Sequence, residues 1–259
     1  MRTAVVTGAA RGIGAAVALA LAADGWAVAL GDVCADDPAL GYPLGTAAQL
    51  QQVALACRER GATVVALTCD VRSADQLDAL VAAAAELGEV QAAVAVAGVL
   101  GGAGVAWELA PDVVERDLDV NYRGVVGLAR AAVPHLLAAG AAGRFVSVVS
   151  AAGTAGLPRL ASYAASKHAA LGFVRSLAAD LGGTGVTANA VLPGSTSTRL
   201  LEATAAVYGL ASPEDFAQHG RLGRLLAPEE VAAAVSWLCS TGSSGVTGAA
   251  VPVDGGFHG

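Results

Sequence analysis

The chain has 259 residues, of which 55% are hydrophobic and only 4% aromatic, and its formal net charge is −7. That length suits a single large α/β domain with a core of small aliphatic side chains. The acidic balance argues against nucleic acid or an anionic membrane as a partner. The four cysteines are scattered and include no C-x-x-C pair, which argues against a metal site. We expect a cytoplasmic protein.

A short β-rich run, a glycine turn and an alanine-rich helix open the chain. The run Thr3–Thr7 leads into Gly8-Ala-Ala-Arg-Gly12-Ile-Gly14 and a helical segment to Ala23. Glycines let the backbone approach a pyrophosphate, and the N–H groups at the start of the following helix bind its charge. The spacing G-x-x-x-G-x-G does not strictly match the generic fingerprint G-x-G-x-x-G.

The second predicted strand, Trp26–Asp32, ends in an acidic residue 18 positions after Gly14. Dinucleotide folds place an acid about 20 positions after the glycines, where it binds the adenosine ribose hydroxyls. A carboxylate there repels a 2′-phosphate, so Asp32 favours NAD over NADP. Arg11 favours NADP, since a cation in the glycine turn could meet that phosphate; we give Asp32 more weight because its position is the one tied to the ribose.

A long connection, residues 34–45, separates Val33 from a helix that starts near Thr46. Connections between a strand and the next helix usually have about two to six residues. Long ordered loops beside a ligand site tend to be functional lids, and a floppy surface insertion is the alternative.

Strands and helices alternate through the rest of the chain. The further predicted strands are Thr63–Thr68, Ala92–Ala97, Arg144–Val149, Val186–Leu192 and Ala249–Val253. The further predicted helices are Ser73–Leu87, Pro111–Ala139, Ala161–Leu181 and Pro228–Cys239. This order predicts one Rossmann domain over residues 1–259, a doubly wound parallel sheet with helices on both faces, and the aperiodic segment 195–226 as a substrate loop.

The stretch Tyr163-Ala-Ala-Ser-Lys167 is the candidate catalytic motif. Positions i and i+4 share one helix face, and a nearby ammonium lowers a tyrosine pKa from about 10 toward neutrality. Lys167 is the only lysine, against 14 arginines, which indicates a site that needs a compact ammonium. A solvated surface lysine is the alternative. Tyr163 is therefore a candidate acid/base group.

Taken together, the motifs resemble the short-chain dehydrogenase/reductase family along essentially the whole chain. The matching motifs, in order, are Thr7-Gly8-x-x-x-Gly12-Ile13-Gly14, Asp70-Val71, Asn121, Ser150, Tyr163-x-x-x-Lys167, Pro193-Gly194-x-x-x-Thr198 and Asp254-Gly255-Gly256. One motif departs: Ala95-Val96-Ala97-Gly98 stands where the family has Asn-Asn-Ala-Gly. Those asparagines chiefly tie strands together, so we expect cofactor binding to survive.

The resemblance implies a role for each catalytic residue. Tyr163 would exchange a proton with the substrate oxygen, and Lys167 would lower the tyrosine pKa and hold the nicotinamide ribose. Ser150, 13 positions before the tyrosine, would hydrogen-bond the same oxygen, and Asn121 would hold a water in a proton relay. The implied cofactor-binding residues are Gly8, Arg11, Gly12, Ile13, Gly14, Asp32, Val33, Asp70 and Val71 (adenine), Ala97, Gly98, Tyr163, Lys167, Pro193, Gly194, and Thr196 with Thr198 (carboxamide).

More narrowly, three segments resemble the mycofactocin-coupled branch of the family. They are Cys34–Gly45 with its Gly-Tyr-Pro-Leu, Val96–Gly102, and Leu222–Val231. The resemblance implies that NAD stays bound and is re-oxidised in place by a peptide-derived redox carrier, with the insertion covering the NAD. The alternative is that the insertion is a loop that determines substrate specificity.

The expected activity is NAD-dependent interconversion of a secondary alcohol and a ketone or aldehyde on a small apolar molecule. The alternatives are an NADPH-dependent biosynthetic ketoreductase and a catalytically silent Rossmann protein that senses NAD. The family also implies a homotetramer built on the Asn121 and Tyr163 helices. Trp107, Tyr208 and Phe216 are candidate walls of the substrate pocket.

Overall fold

A computed structural model describes residues 1–257 and shows seven strands in one parallel sheet. The strands are β1 (Arg2–Thr7), β2 (Ala27–Asp32), β3 (Val64–Thr68), β4 (Glu89–Ala95), β5 (Arg144–Val148), β6 (Thr187–Pro193) and β7 (Ala250–Val253). The helices are α1 (Gly12–Ala23), α2 (Ala47–Glu59), α3 (Ala74–Leu87), α4 (Pro111–Leu118), α5 (Gly124–Ala139), α6 (Ala161–Asp180), α7 (Arg199–Tyr208) and α8 (Pro228–Cys239).

Helices cover both faces of the sheet, which confirms the predicted doubly wound fold. One face packs α1, α2 and α8 around Leu21 and Leu238, and the other packs α3, α5 and α6 around Leu80 and Val174. Strands β1, β2 and β6 are buried along almost their whole length, and they are accordingly rich in Ala and Val.

The strand order β3-β2-β1-β4-β5-β6-β7 reverses between β1 and β4, so a crevice opens at their carboxyl ends. There Thr7 Oγ1 accepts hydrogen bonds from the N–H groups of Val96 at 3.2 Å and Ala97 at 3.5 Å. These bonds supply a tie between the strands at the position where the family motif is altered. On the other side of β4, Ala95 pairs with Ser147, whose buried hydroxyl finds no partner among the described residues.

Apart from shifts of one to three residues at other element ends, the structure differs from the sequence predictions in three places. Strand β4 ends at Ala95, because Val96 and Ala97 turn toward Thr7. The predicted helix 111–139 is interrupted by a π-helical turn, Asp119–Arg123, that carries Asn121. The segment predicted to be aperiodic contains α7 and a 3₁₀ turn, Pro213–His219.

By length and composition alone, the helical run 111–142 could cross a membrane. In this fold its side chains Leu128, Ala132 and Leu136 are buried against the sheet and α3. The opposite side of the run is only partly covered, and Leu137 is 45% exposed. The run therefore contributes to the core on one side and presents an apolar face on the other.

Candidate active site

One cavity of about 1390 Å³ runs along the carboxyl ends of the strands. Every residue predicted to bind the cofactor lines it, and so do Ser150, Tyr163 and Lys167. Asn121 is buried behind the cavity wall rather than lining it. The structure thus brings together residues that lie far apart in the chain.

The start of α1 forms one end of the cavity and fits a pyrophosphate. Gly12 has a φ of +56°, and a Cβ added at Gly14 would lie 2.0 Å from the carbonyl oxygen of Gly8, so these positions need glycine. The residue before the helix, Arg11, provides no side-chain cap. The first N–H groups of α1 are therefore left for an anionic ligand.

Asp32 marks the adenosine end. Its carboxylate is buried at the end of β2, where it accepts hydrogen bonds from the N–H groups of Ala10 at 3.0 Å and Cys34 at 3.4 Å. A Cβ at Gly45 would lie 2.8 Å from Asp32 Oδ1, so the end of the insertion packs directly on this carboxylate. The fixed negative charge fits ribose hydroxyls and opposes a 2′-phosphate.

The side chain of Asp70 is already paired. It binds Arg72 through Nε at 2.9 Å and Nη2 at 2.6 Å, and although burial acts to raise the pKa of the Asp70 carboxyl, these hydrogen bonds lower it overall. The adenine contact predicted for Asp70 must therefore share the carboxylate with Arg72.

The first turns of α6 carry the candidate acid/base pair. Lys167 Nζ lies 5.7 Å from the centroid of the Tyr163 ring and donates to the carbonyl of Val148 at 3.4 Å. Lys167 is only 4% exposed. Ser150 Oγ accepts from the N–H of Ala152 at 3.1 Å, and the Ser150 hydroxyl lies near enough to Tyr163 to act on the pKa of its phenol. The hydroxyl, the phenol and the ammonium therefore line the same part of the cavity.

The expectation that Lys167 brings the pKa of Tyr163 toward neutrality is wrong. Burial raises the pKa of Tyr163 to about 12, although the neighbouring Ser150 hydroxyl acts to lower it. Burial also lowers the pKa of Lys167 to about 8. Removal of water disfavours both charged forms, and here this effect exceeds the attraction between them.

Asn121 anchors the loop that follows β4. Its Oδ1 accepts from the N–H of Val99 at 2.8 Å, and its Nδ2 donates to the carbonyl of Val99 at 2.9 Å and to Ser166 Oγ at 3.0 Å. A Cβ at Gly98 would lie 3.1 Å from Asn121 Oδ1 and 3.2 Å from Lys167 Nζ. Asn121 therefore lies close behind Lys167, and the water-holding role stays a prediction.

Two side chains at the site were not predicted. Tyr42, in the insertion, accepts a hydrogen bond from the N–H of Leu100 at 2.8 Å, and burial raises its pKa to about 12. Asp117 is fully buried and accepts from the N–H of Gly101 at 2.7 Å and from Ser162 Oγ at 2.6 Å. The one signal in the sequence was an acid four residues before Asn121 on a helix.

Aromatic side chains close the substrate end. Tyr208 donates to the carbonyl of Pro158 at 2.6 Å, and its ring lies edge-on to Phe216 with centroids 5.9 Å apart. Both rings line the cavity, as the sequence suggested. Trp107 does not line the cavity: it is 83% exposed, on a short 3₁₀ turn that has no buried residue.

Comparisons with known proteins place this architecture among oxidoreductases. A family model described as enoyl-(acyl carrier protein) reductase matches residues 8–258. An uncharacterized NAD-dependent oxidoreductase of Mycobacterium tuberculosis is 35% identical over 98% of this chain and 95% of its own length. Cis-4-hydroxycyclohexanecarboxylate dehydrogenase of Sinomonas cyclohexanicum is 38% identical over 99% and 96%. The crystal structure of carveol dehydrogenase from Mycobacterium avium in complex with NAD matches with a TM-score of 0.93, at 30% identity, over 98% of this chain and 96% of that one.

Proposed function

The chain belongs to the short-chain dehydrogenase/reductase family and is an NAD-dependent oxidoreductase, and from this we propose that it interconverts a small, apolar, cyclic secondary alcohol and its ketone. One observation carries the proposal: Ser150, Tyr163 and Lys167 meet in the same cavity that Asp32 closes at its nucleotide end. Proton transfer and cofactor binding are thereby brought into one site.

The residues of the site divide the chemistry between them. When bound, NAD supplies the hydride acceptor for alcohol oxidation and the donor for ketone reduction. Ser150 hydrogen-bonds the substrate oxygen, and Tyr163 removes or supplies that oxygen's proton. Because burial raises the pKa of Tyr163, its phenol form is favoured near neutral pH, so alcohol oxidation speeds up as the pH rises.

The substrate end favours a neutral molecule. Its walls include Leu157, Leu200 and Leu210 besides the two aromatic rings described above. The arginines nearby are already paired: Arg116 with Asp37 and Asp112, and Arg199 with Glu202. Among the described residues that line this end, only Lys167 and His219 could offer a basic group without an ion-pair partner to a carboxylate. Carveol and cis-4-hydroxycyclohexanecarboxylate, which name two of the similar proteins, are both ring alcohols, and the first is neutral.

Residues 34–45, which we call the strap, lie over the cofactor cleft. Arg11 donates to the carbonyl of Pro43 at 2.7 Å, and Tyr42 accepts from the N–H of Leu100. Asp37 lies 4.0 Å from Arg72 Nη1 and 3.7 Å from Arg116 Nε. Four separate segments therefore tie the strap down: the glycine turn, the loops after β3 and β4, and α4.

We propose that the strap retains NAD between turnovers, so that the reduced cofactor is re-oxidised in place by a peptide-derived redox carrier, mycofactocin. The support is the number of strap contacts that NAD release would have to break, together with the sequence resemblance. If the strap only shapes the substrate pocket, NAD exchanges freely.

The two alternative functions have less support. An NADPH ketoreductase would need a free cation at the ribose, but the Arg11 guanidinium is bonded to Pro43, and the buried carboxylate of Asp32 lies beside it. A silent NAD sensor would have no need of the buried Lys167 next to Tyr163. For assembly, the half-covered apolar side of α5 suits the homotetramer that the family implies.

A direct assay tests the reaction. The purified protein is given a panel of neutral cyclic secondary alcohols with NAD or NADP, with and without an artificial electron-accepting dye, and the corresponding ketones with NADH or NADPH. We expect turnover that depends on NAD and is lost in Tyr163→Phe. Turnover confined to NADPH and ketones would refute the proposal, as would wild-type rates in the Tyr163→Phe protein.

A further inference from the structure

Three successive backbone N–H groups in the loop after β4, those of residues 99–101, are each bound by a side chain from elsewhere in the chain. In chain order the acceptors are Asn121 Oδ1, Tyr42 Oη and Asp117 Oδ1, at 2.8, 2.8 and 2.7 Å. Asn121 is one of the catalytic residues that the family resemblance implies, and Tyr42 belongs to the strap. The third, Asp117, has no role in the chemistry described so far.

Asp117 joins this loop to the beginning of the catalytic helix. Its second carboxylate oxygen accepts a hydrogen bond from Ser162 Oγ at 2.6 Å, and Ser162 directly precedes Tyr163 in the first turn of α6. The residue before that helix, Leu160, provides no side-chain cap. The Asp117–Ser162 bond is therefore a side-chain anchor of the turn that presents the tyrosine.

Asp117 places a carboxylate where its burial has an unfavourable free energy. It is completely buried, and burial of a carboxylate is unfavourable unless hydrogen bonds and opposite charge compensate for it. The neighbouring Arg116 directs its guanidinium to the carbonyl of Gly101 and to Asp37 and Asp112. The remaining charged and titratable groups around the carboxylate are Lys167 and Tyr163 on α6 and Tyr42 on the strap.

We propose that Asp117 is a positioning residue of the active site: its carboxylate clamps the first turn of α6 to the loop after β4 and supplies the negative charge that faces the buried Tyr163–Lys167 pair. Through the clamp it sets where the phenol stands. Through its charge it holds the proton on the buried ammonium of Lys167.

The direction of each electrostatic effect agrees with this role. Burial raises the pKa of Asp117, while the bonds from Ser162 and Gly101 and the charge of Lys167 act to lower it. In return, Asp117 acts to raise the pKa values of both Tyr163 and Lys167. Loss of this charge should therefore lower the proton affinity of the pair.

The test compares three variants with the wild type, using whichever substrate the wild type turns over. The proposal rests on the proposed dehydrogenase function, but an unexpected substrate would overturn that function without changing what the variants report about Asp117. Asp117→Asn removes the charge, Ser162→Ala removes the clamp and keeps the charge, and Glu115→Gln removes an exposed charge from the same helix. Thermal melting and NAD binding are measured for each.

For Asp117→Asn we expect kcat to fall about tenfold with an almost unchanged KM, since the phenol is misplaced but the pocket is intact. The acid limb of the pH profile for alcohol oxidation should move down by about one pH unit. Ser162→Ala should lower kcat about threefold without moving the limb, and Glu115→Gln should match the wild type.

If the acid limb of the pH profile lies at the same pH in Asp117→Asn as in the wild type, the electrostatic role is refuted. An equal shift of the limb in Glu115→Gln would refute it as well. If Asp117→Asn does not fold, Ser162→Ala decides: a wild-type kcat in that variant contradicts the clamp. A purely structural role would lower the melting temperature of Asp117→Asn and leave the pH profile in place, and that outcome also refutes the proposal.

Discussion

Replacing Tyr42 with Phe tests whether the strap controls the release of NAD. The substitution removes one hydroxyl and keeps the ring. It leaves the N–H of Leu100, a residue only 5% exposed, without the acceptor that lies 2.8 Å away in the wild type. An unsatisfied buried donor costs about 1–3 kcal/mol, which corresponds to about a 5- to 150-fold change in an equilibrium or rate constant. If the strap must lift before the nucleotide leaves, Tyr42→Phe should release NADH faster by a factor in that range.

The assay is a fluorescence displacement experiment. Each protein is loaded with NADH, freed of excess nucleotide and mixed with a large excess of NAD, and the loss of bound NADH fluorescence gives the off-rate. Tyr208→Phe is the matched control, because it also removes one tyrosine hydroxyl bond, 2.6 Å to the carbonyl of Pro158, but at the substrate end. Equal off-rates in the wild type and Tyr42→Phe would refute the reasoning, and so would an equal acceleration in both variants.

Three further substitutions test separate parts of the site. Asp32→Asn should reduce the preference for NAD over NADP by about 100-fold or more in measured Kd ratios, because two like charges about 4 Å apart repel by about 4 kcal/mol near a protein surface; an unchanged ratio contradicts this. Gly14→Ala should abolish nucleotide binding in calorimetry, since its Cβ would lie 2.0 Å from Gly8 O; wild-type affinity would show that the turn adapts. Lys167→Met should abolish turnover, and its effect on stability should depend on pH. Burial lowers the pKa of Lys167 in the folded protein to about 8, below the 10.5 of a lysine in water. The unfolded wild type therefore binds more protons between these two values, and its denaturant stability should rise relative to the variant by about 2 kcal/mol from pH 7 to pH 10. A constant difference would contradict the burial of a charged lysine.

The features that could be predicted from the sequence are those that depend on residues close together in the chain. Alternating strands and helices, the glycine turn and the acid at the end of β2 led to the Rossmann fold, and α8 was predicted with the bounds Pro228–Cys239 that the structure shows. The π-helical turn at Asn121 was not foreseen, because an apolar helical period continues through it. The spacing of residues in the sequence shows which side chains can lie together on one helix or strand, but it does not show which distant segments pack against them.

Contacts between distant segments account for what the sequence did not reveal. Tyr42 and Leu100 are 58 positions apart, and Asp117 and Ser162 are 45 apart, so nothing in either neighbourhood marks the partner. The pKa of Tyr163 was mispredicted for a related reason. The spacing to Lys167 is local, but the burial that outweighs the charge comes from the packing of the whole cavity.

The nucleotide carried by the purified protein tests the account most directly. The protein is dialysed extensively without cofactor and denatured, and the released nucleotide is identified by absorbance and mass. We predict near-stoichiometric NAD, retained under the strap, and no NADP. An empty protein that oxidises alcohols with freely added NAD would contradict retention and make the strap a specificity loop, and stoichiometric NADP would contradict the role assigned to Asp32.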